Sequence, residues 1–293
     1  MRSLPADAAL LLVTLVWGTT FVVVKVAVET VDPLAFVAAR FAVGALALAL
    51  LSWPRLRRAP APLWRAGGLL GAALFAGFAL QTLGLRESTP ARAAFITGLN
   101  VALVPLFAAV LTGQHPGRAP LVGVGLSFVG MALLSAPSTA EEWSRGSWRG
   151  DALVLGCAVA FALHIVGLGN VAGRYHPAAL TTVQLTAVAL LAAVVGGATG
   201  AQPHDLAAGW AAVAYMGLVA TALVFLLQSW AQRHTSPTHT ALIFALEPVF
   251  AALFSWLAYG EALSGRMAAG GLLIVAGIAV SELGRREPTP PAG

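Results

Sequence analysis

In a chain this apolar, chemistry starts from the few polar side chains that fall inside long hydrophobic runs. Glu247 is the clearest, ten residues into the run 238–258. It is followed by Pro248, which donates no backbone hydrogen bond and so frees the carbonyl of Phe244. A carboxyl beside a broken helical turn is a ligand for an amine or a proton; its alternative role is a hydrogen-bonded glutamate pinning helices together. Lys25, three residues from the end of the run 8–28, either snorkels to the interface along its methylene stem or faces a solute. Arg40, roughly two turns into the run 34–53, reads as a structural cross-link to a carbonyl or carboxylate, with Glu29 or Asp32 within reach. His164, near the middle of 152–172, is either a buried neutral histidine with one hydrogen bond or a cavity group. The amides Gln81, Asn100, Gln184 and Gln228 line a path or join helices at about 0.6 kcal/mol per hydrogen bond. An ionised side chain at the bilayer centre costs at least about 2.5–3.5 kcal/mol, so charges found there face a cavity or a partner.

The elements that must position these residues follow from composition. Of 293 residues, 58% are hydrophobic and only 10% charged, and the mean hydropathy is +0.83. A soluble domain carries about a quarter charged residues, so a soluble enzyme and a disordered chain are excluded. The single cysteine, Cys157, excludes a disulfide scaffold. The net charge of +5 is carried by arginines scattered among loops, which implies orientation in a membrane rather than nucleic-acid binding. Each crossing needs about 20 mostly apolar residues. Ten runs qualify: 8–28, 34–53, 66–86, 93–112, 119–137, 152–172, 178–199, 209–230, 238–258 and 266–284. The first is read as a span and not as a signal peptide, because no small-residue cleavage site lies at a suitable distance.

With the N-terminus in the cytoplasm, that side holds Arg2, Arg55, Arg57, Arg58, Arg65, Arg118, Arg174, Arg233, Arg285 and Arg286. The opposite side holds Arg86, Arg92, Arg145, Arg149 and Arg266, half as many, so both termini are expected inside. The chain also repeats itself. At an offset of 144, Asp7 falls on Asp151, Thr20 on His164, Pro33 on Pro177 and Arg40 on Gln184. At 147, Arg86 falls on Arg233, Pro90 on Pro237, Leu99 on Leu246, Asn100 on Glu247, Gly123 on Gly270 and Gly130 on Gly277. Five spans per half is an odd number, so the second half must cross in the opposite sense. The charges agree, since the arginine-rich 54–65 corresponds to about 198–209, which has neither Lys nor Arg. The expected fold is an all-α polytopic membrane protein, ten transmembrane helices as two inverted five-helix repeats, 7–137 and 151–284. Such repeats rock against each other around a midplane site in transporters.

Trp17-Gly18-Thr19-Thr20-Phe21 with Lys25, Arg40-Phe41, Glu247-Pro248 with Phe250, and Gly260-Glu261 resemble the EamA family of the drug/metabolite transporter superfamily. The resemblance covers the whole chain, departs at Gln114 where the first repeat usually has an acidic residue, and is nearest to the YddG-like amino-acid exporters. It implies a central cavity whose substrate-binding residues are Trp17, Thr20, Phe21, Phe78, Gln81, Phe95, Asn100, Phe161, His164, Tyr215 and Glu247. Lys25, Arg40, Pro90, Pro105 and Pro248 are expected to be structural or gating residues. Trp53, Trp64, Trp143, Trp148 and Trp210 read as interfacial anchors. The expected partners are a small-molecule substrate (amino acids or similar metabolites) and membrane lipid, with no nucleic acid; the oligomeric state stays open.

No enzyme motif, metal-spaced His/Glu set or ATP-binding loop is present, and no cofactor or metal is expected. The rival readings are a multidrug or nucleotide-sugar carrier and, from another class, a membrane-bound haem or redox protein, for which only His164 and His239 offer ligands. The resemblance implies a multi-pass protein of a bacterial inner (plasma) membrane that exports amino acids with broad specificity. The arginine asymmetry generates the first prediction. A topology reporter fused after Gly293 is active only in its cytoplasmic form; activity on the far side refutes the orientation.

Overall fold

Helices begin where a proline follows a residue able to cap it. Asp32 accepts from the amides of Leu34 and Ala35 ahead of Pro33, His176 from Ala178 ahead of Pro177, and Ser236 from His239 ahead of Pro237. Proline at the first helical position loses no bond, because that N–H has no partner within the helix. The computed structural model describes residues 4–88, 90–113, 115–135, 147–200, 209–259 and 264–283. Those residues form α1 (Leu4–Gly18), α2 (Thr20–Thr30), α3 (Pro33–Leu56), α4 (Ala61–Glu87), α5 (Pro90–Thr97), α6 (Asn100–Thr112) and α7 (Arg118–Ser135). They continue with α8 (Trp148–Val171), α9 (Pro177–Thr199), α10 (Trp210–Gly217), a π-turn segment Leu218–Leu223, α11 (Val224–Ala231), α12 (Pro237–Phe244), α13 (Glu247–Tyr259) and α14 (Gly265–Leu283). Among the described residues there is no strand.

Eight helical stretches are long and apolar enough to cross a membrane, and two shorter apolar helices, Leu4–Gly18 and Arg118–Leu134, accompany them. The difference from ten has local causes. The run 8–28 is divided at Thr19, whose hydroxyl donates to the Val16 carbonyl while that of Thr20 donates to Trp17. Such back-bonding competes with the helical ladder and bends it. The run 119–137 reaches beyond the last described residue of α7.

Helix packing depends on close backbone approach. Antiparallel α7 and α14 cross with glycine against glycine. A Cβ on Gly123 would lie 2.5 Å from the Gly277 carbonyl oxygen, and one on Gly130 would lie 2.5 Å from that of Gly270. Elsewhere, a Cβ on Gly71 of α4 would meet the backbone of Gln184 and the side chain of Ala187. One on Gly217 would meet the backbone of Arg40 and the side chain of Val43. Within a bilayer, association rests on such tight van der Waals contact, since lipid is as apolar as the helices. The outward faces stay apolar, with Leu50, Leu69, Val110, Leu190, Leu257 and Leu272 all exposed. Trp53, Trp64, Trp148 and Trp210 are exposed as well, and Trp148 and Trp210 each open their helices. Trp143 lies outside the described residues.

Gly130→Leu is expected to lower stability by about 1–3 kcal/mol through overpacking, read as a lower thermal midpoint in detergent. Gly125→Leu is the control, because open space surrounds its Cβ position. Equal behaviour of the two refutes the crossing as a stabilising contact.

Candidate solute-binding cavity

Two helices are broken at matching places. Between α5 and α6 the chain passes Gly98 and Leu99, where Leu99 N donates to Ile96 O and Val101 N to Gly98 O. Between α12 and α13 it passes Ala245 and Leu246, where Ala245 N bonds Leu242 O and Leu246 N bonds Ile243 O. These three-residue bonds tighten the backbone and end the regular ladder. Pro248 follows the second break and, lacking N–H, cannot restore the bond to Phe244. Asn100 and Glu247 therefore stand at the first position of a new helix. Pro105 sits inside the continuous α6 and Pro90 opens α5, so of the three prolines only Pro248 adjoins a break.

Both breaks border one cavity. Its walls hold Trp17, Thr20, Phe78, Gln81, Asn100, Phe161, His164 and Glu247, which the sequence reading had grouped. Phe95 instead stacks near Phe128, with ring centroids 6.4 Å apart. Tyr215 turns outward and its hydroxyl lies 2.8 Å from that of Thr19. Neither lines the cavity. The side chains of Phe21 and Lys25 lie outside the described residues, as does that of Pro90.

The walls also contain Gln228, one of the amides the sequence singles out, and Thr97, Phe225 and Phe244, which it does not single out as cavity residues although the repeat offset relates them to one another and to Phe78. At 147, Phe78 falls on Phe225, Gln81 on Gln228 and Thr97 on Phe244, while at 144 Trp17 falls on Phe161. The aromatic side is continuous. Trp17 packs edge-on against Phe225 at 5.5 Å and Phe244 at 5.0 Å, and Phe78 contacts Phe161 at 5.0 Å. The indole N–H of Trp17 donates to Ala220 O at 3.3 Å, a carbonyl within the π-turn segment.

The polar groups divide into paired and unpaired. His164 Nε2 is 2.8 Å from Gln184 Oε1, and Gln184 also donates to Leu180 O. Gln81 donates to Thr97 at 3.3 Å, and Gln228 to Gln232 at 3.0 Å. The expected link from Arg40 to the preceding turn is absent. Asp32 instead caps α3 and faces Arg86 at 3.9 Å. Arg40 lines the cavity, its guanidinium carbon 4.7 Å from the Phe78 ring centroid and 5.0 Å from that of Phe41.

Carboxylates meet basic side chains in two places around the bundle. Asp7 at the start of α1 lies 2.9 Å from His239 Nε2, and Glu282 lies 3.0 Å from His239 Nδ1. Arg92 grips Asp151 at the start of α8 with two donors, Nε at 2.7 Å from Oδ1 and Nη2 on Oδ2. Glu87 nearby accepts from Ser147 and faces Arg149 at 3.7 Å. No group of three or more metal-ligating side chains occurs among the described residues.

His164→Leu and Gln184→Leu each leave a buried polar partner unsatisfied, a loss of about 1–3 kcal/mol. The double variant is expected to cost less than the sum of the singles in thermal denaturation. Strict additivity refutes the bond as a stabilising contact.

The EamA-like transporter family matches the chain over residues 4–136 and again over 148–283. A transporter of Archaeoglobus fulgidus, described as uncharacterized, is 31% identical over 285 residues, spanning 97% of this chain and 87% of its own. The uncharacterized inner membrane transporter YedA of Escherichia coli K12 is 27% identical, over 89% of this chain and 85% of its own. A solved crystal structure, 24% identical, aligns with a TM-score of 0.79 over 98% of this chain and 100% of that chain, which establishes likeness of fold. With the family pattern matched in both halves, around broken helices that border one cavity, the chain belongs to the EamA-like transporter family and is a membrane transporter.

Proposed function

We propose that the protein exports amino acids and similar small zwitterionic metabolites, with broad specificity, by alternating access across a bacterial inner membrane. The observation that carries this reading is the cavity, in which an apolar aromatic wall stands beside one carboxyl group, Glu247, and one guanidinium, Arg40. An aromatic wall takes an apolar side chain of variable shape, whereas two charged groups fix only the parts common to every amino acid. YedA, named as an inner membrane transporter, supports the location.

The proposed architecture is ten spans in two inverted repeats, 7–137 and 151–284, with α1–α2 as the first span and α7 as the fifth. The packing supports it through contacts that recur under the repeat offsets. Gly123 meets Gly277 while Gly130 meets Gly270, so each glycine faces the mate of the other. Gly71 meets Gln184 and Ala187 as Gly217 meets their mates Arg40 and Val43, the two glycines themselves being 146 residues apart. The pair Asp7–His239 has its mate in Asp151–Arg92. Both pairs join one repeat to the other, and in the proposed topology they lie on opposite sides of the membrane. Rocking the repeats opens one pair while leaving the other closed.

The nucleotide-sugar alternative is less well supported. A nucleoside diphosphate brings at least two negative charges, and among the described residues Arg40 is the only Arg or Lys lining the cavity. Without an ATP-binding loop, transport draws on an ion gradient or on the solute's own gradient.

Cells expressing the protein are expected to tolerate toxic amino-acid analogues better than controls, and proteoliposomes are expected to take up several radiolabelled amino acids. Glu247→Gln, inserted at normal levels, is expected to reduce that uptake at least about tenfold, the worth of one lost charge-assisted contact. Uptake of a nucleotide-sugar or cationic drug with no amino-acid uptake overturns the substrate assignment.

A further inference from the structure

We propose that Arg40 is the carboxylate subsite of the cavity, and that with Glu247 it selects solutes bearing both an anionic and a cationic group. This rests on the amino-acid reading and assigns it a polarity: anion toward the first half of the chain, ammonium toward the second.

Four observations place the anion at Arg40. Its side chain is buried, with 3% of its surface exposed, and lines the cavity. Its Nε is buried without a hydrogen-bond partner. Among the described residues no carboxylate pairs with it, and the nearest acidic candidate in sequence, Asp32, is occupied at the α3 cap and by Arg86. Its guanidinium carbon lies within 5.0 Å of two phenyl centroids. A ring face attracts the cation electrostatically but does not accept its in-plane N–H donors in the way an oxygen does. The planar fork thus remains available for an acceptor, and a carboxylate matches it bidentately.

The repeat sharpens the point. At the equivalent place in the second half stands Gln184, whose acceptor is taken by His164. The equivalent of His164 in the first half is Thr20, which turns its hydroxyl to the Trp17 carbonyl. The first half therefore holds a charge where the second holds a satisfied amide. The reverse asymmetry holds at the helix breaks, with Asn100 in the first half and Glu247 in the second. No hydrogen bond to the Glu247 carboxylate or ion pair with it occurs among the described residues. A guanidinium and a carboxyl, neither with an ion-pair partner there, line one cavity. A bound zwitterion offers its carboxylate to the guanidinium and its ammonium to the carboxyl, so that each buried group gains a partner.

The test uses three probes sharing one phenyl body: phenylalanine, phenethylamine (no carboxylate) and 3-phenylpropionate (no amine). Competition against radiolabelled phenylalanine and direct binding of each probe are measured on purified full-length protein. The protein is expected to favour phenylalanine over each truncated probe by about 10- to 100-fold, the range for a charge-assisted contact. In Arg40→Gln the preference over phenethylamine collapses to about onefold, while the preference over phenylpropionate survives. Glu247→Gln does the reverse. Arg40→Lys, which keeps the charge and loses the fork, retains part of the preference and serves if Arg40→Gln fails to fold. A purely structural arginine would weaken all three probes together. If phenylalanine binds and its preference over phenethylamine is unchanged in Arg40→Gln or Arg40→Lys, the subsite is refuted and the amino-acid reading stands. If only phenylpropionate binds, and Arg40→Gln abolishes it, the anion subsite stands, while the zwitterion selection and the amino-acid reading fall. Binding of phenethylamine alone, or of none of the three, overturns both.

Discussion

Every backbone N–H and C=O inside hydrocarbon must find a partner within the protein, and this constraint governs the whole molecule. It leaves helices as the means of crossing, no strand occurring among the described residues, and it tolerates irregular backbone only beside protein or a cavity. The breaks at Gly98–Leu99 and Ala245–Leu246 are of the second kind. Their polar groups are partly retained by tighter three-residue bonds, and Asn100 and Glu247, which follow them, line the cavity. The π-turn segment Leu218–Leu223 behaves alike, one of its carbonyls accepting the indole N–H of Trp17. The two helix breaks thus lie at the cavity wall, and the π-turn segment reaches it through Trp17.

Because lipid offers no hydrophobic gain for bringing helices together, contact area has to come from close approach. Glycine supplies it where α7 crosses α14 and where Gly71 and Gly217 lie against neighbouring backbones. Two of these contacts lie directly behind the cavity, Gly217 against Arg40 and Gly71 against Gln184, the partner of His164.

The cavity is nearly symmetric in its apolar wall and asymmetric in its charges. Trp17 and Phe161, or Phe78 and Phe225, are repeat mates that present rings from opposite halves. Arg40 and Glu247 have Gln184 and Asn100 as mates, so divergence between the halves placed the charges. The rings are thus shared between the halves, whereas the guanidinium comes from the first half and the carboxyl from the second.

The sequence by itself determined the membrane environment and the helical class, because these depend on composition and run length, which are local, and its short motifs carried the resemblance to the EamA family. It also located Glu247 and Asn100, since a polar residue in an apolar run, with or without proline beside it, is visible without coordinates. The repeat offset also relates Phe225 and Gln228 to Phe78 and Gln81, residues already singled out. Only the tertiary structure decided that Phe95 and Tyr215 face away from the cavity, because which side of a hydrophobic helix meets the bundle depends on its neighbours. It alone decided the environment of Arg40. The residues nearest in sequence suggested an ion pair with Asp32, whereas in the fold Asp32 is taken by the α3 amides and Arg86. Arg40 lies instead between phenyl rings and open space. Pairing is a property of three-dimensional proximity, and in a bundle where helices distant in sequence supply each wall, sequence separation says little about it.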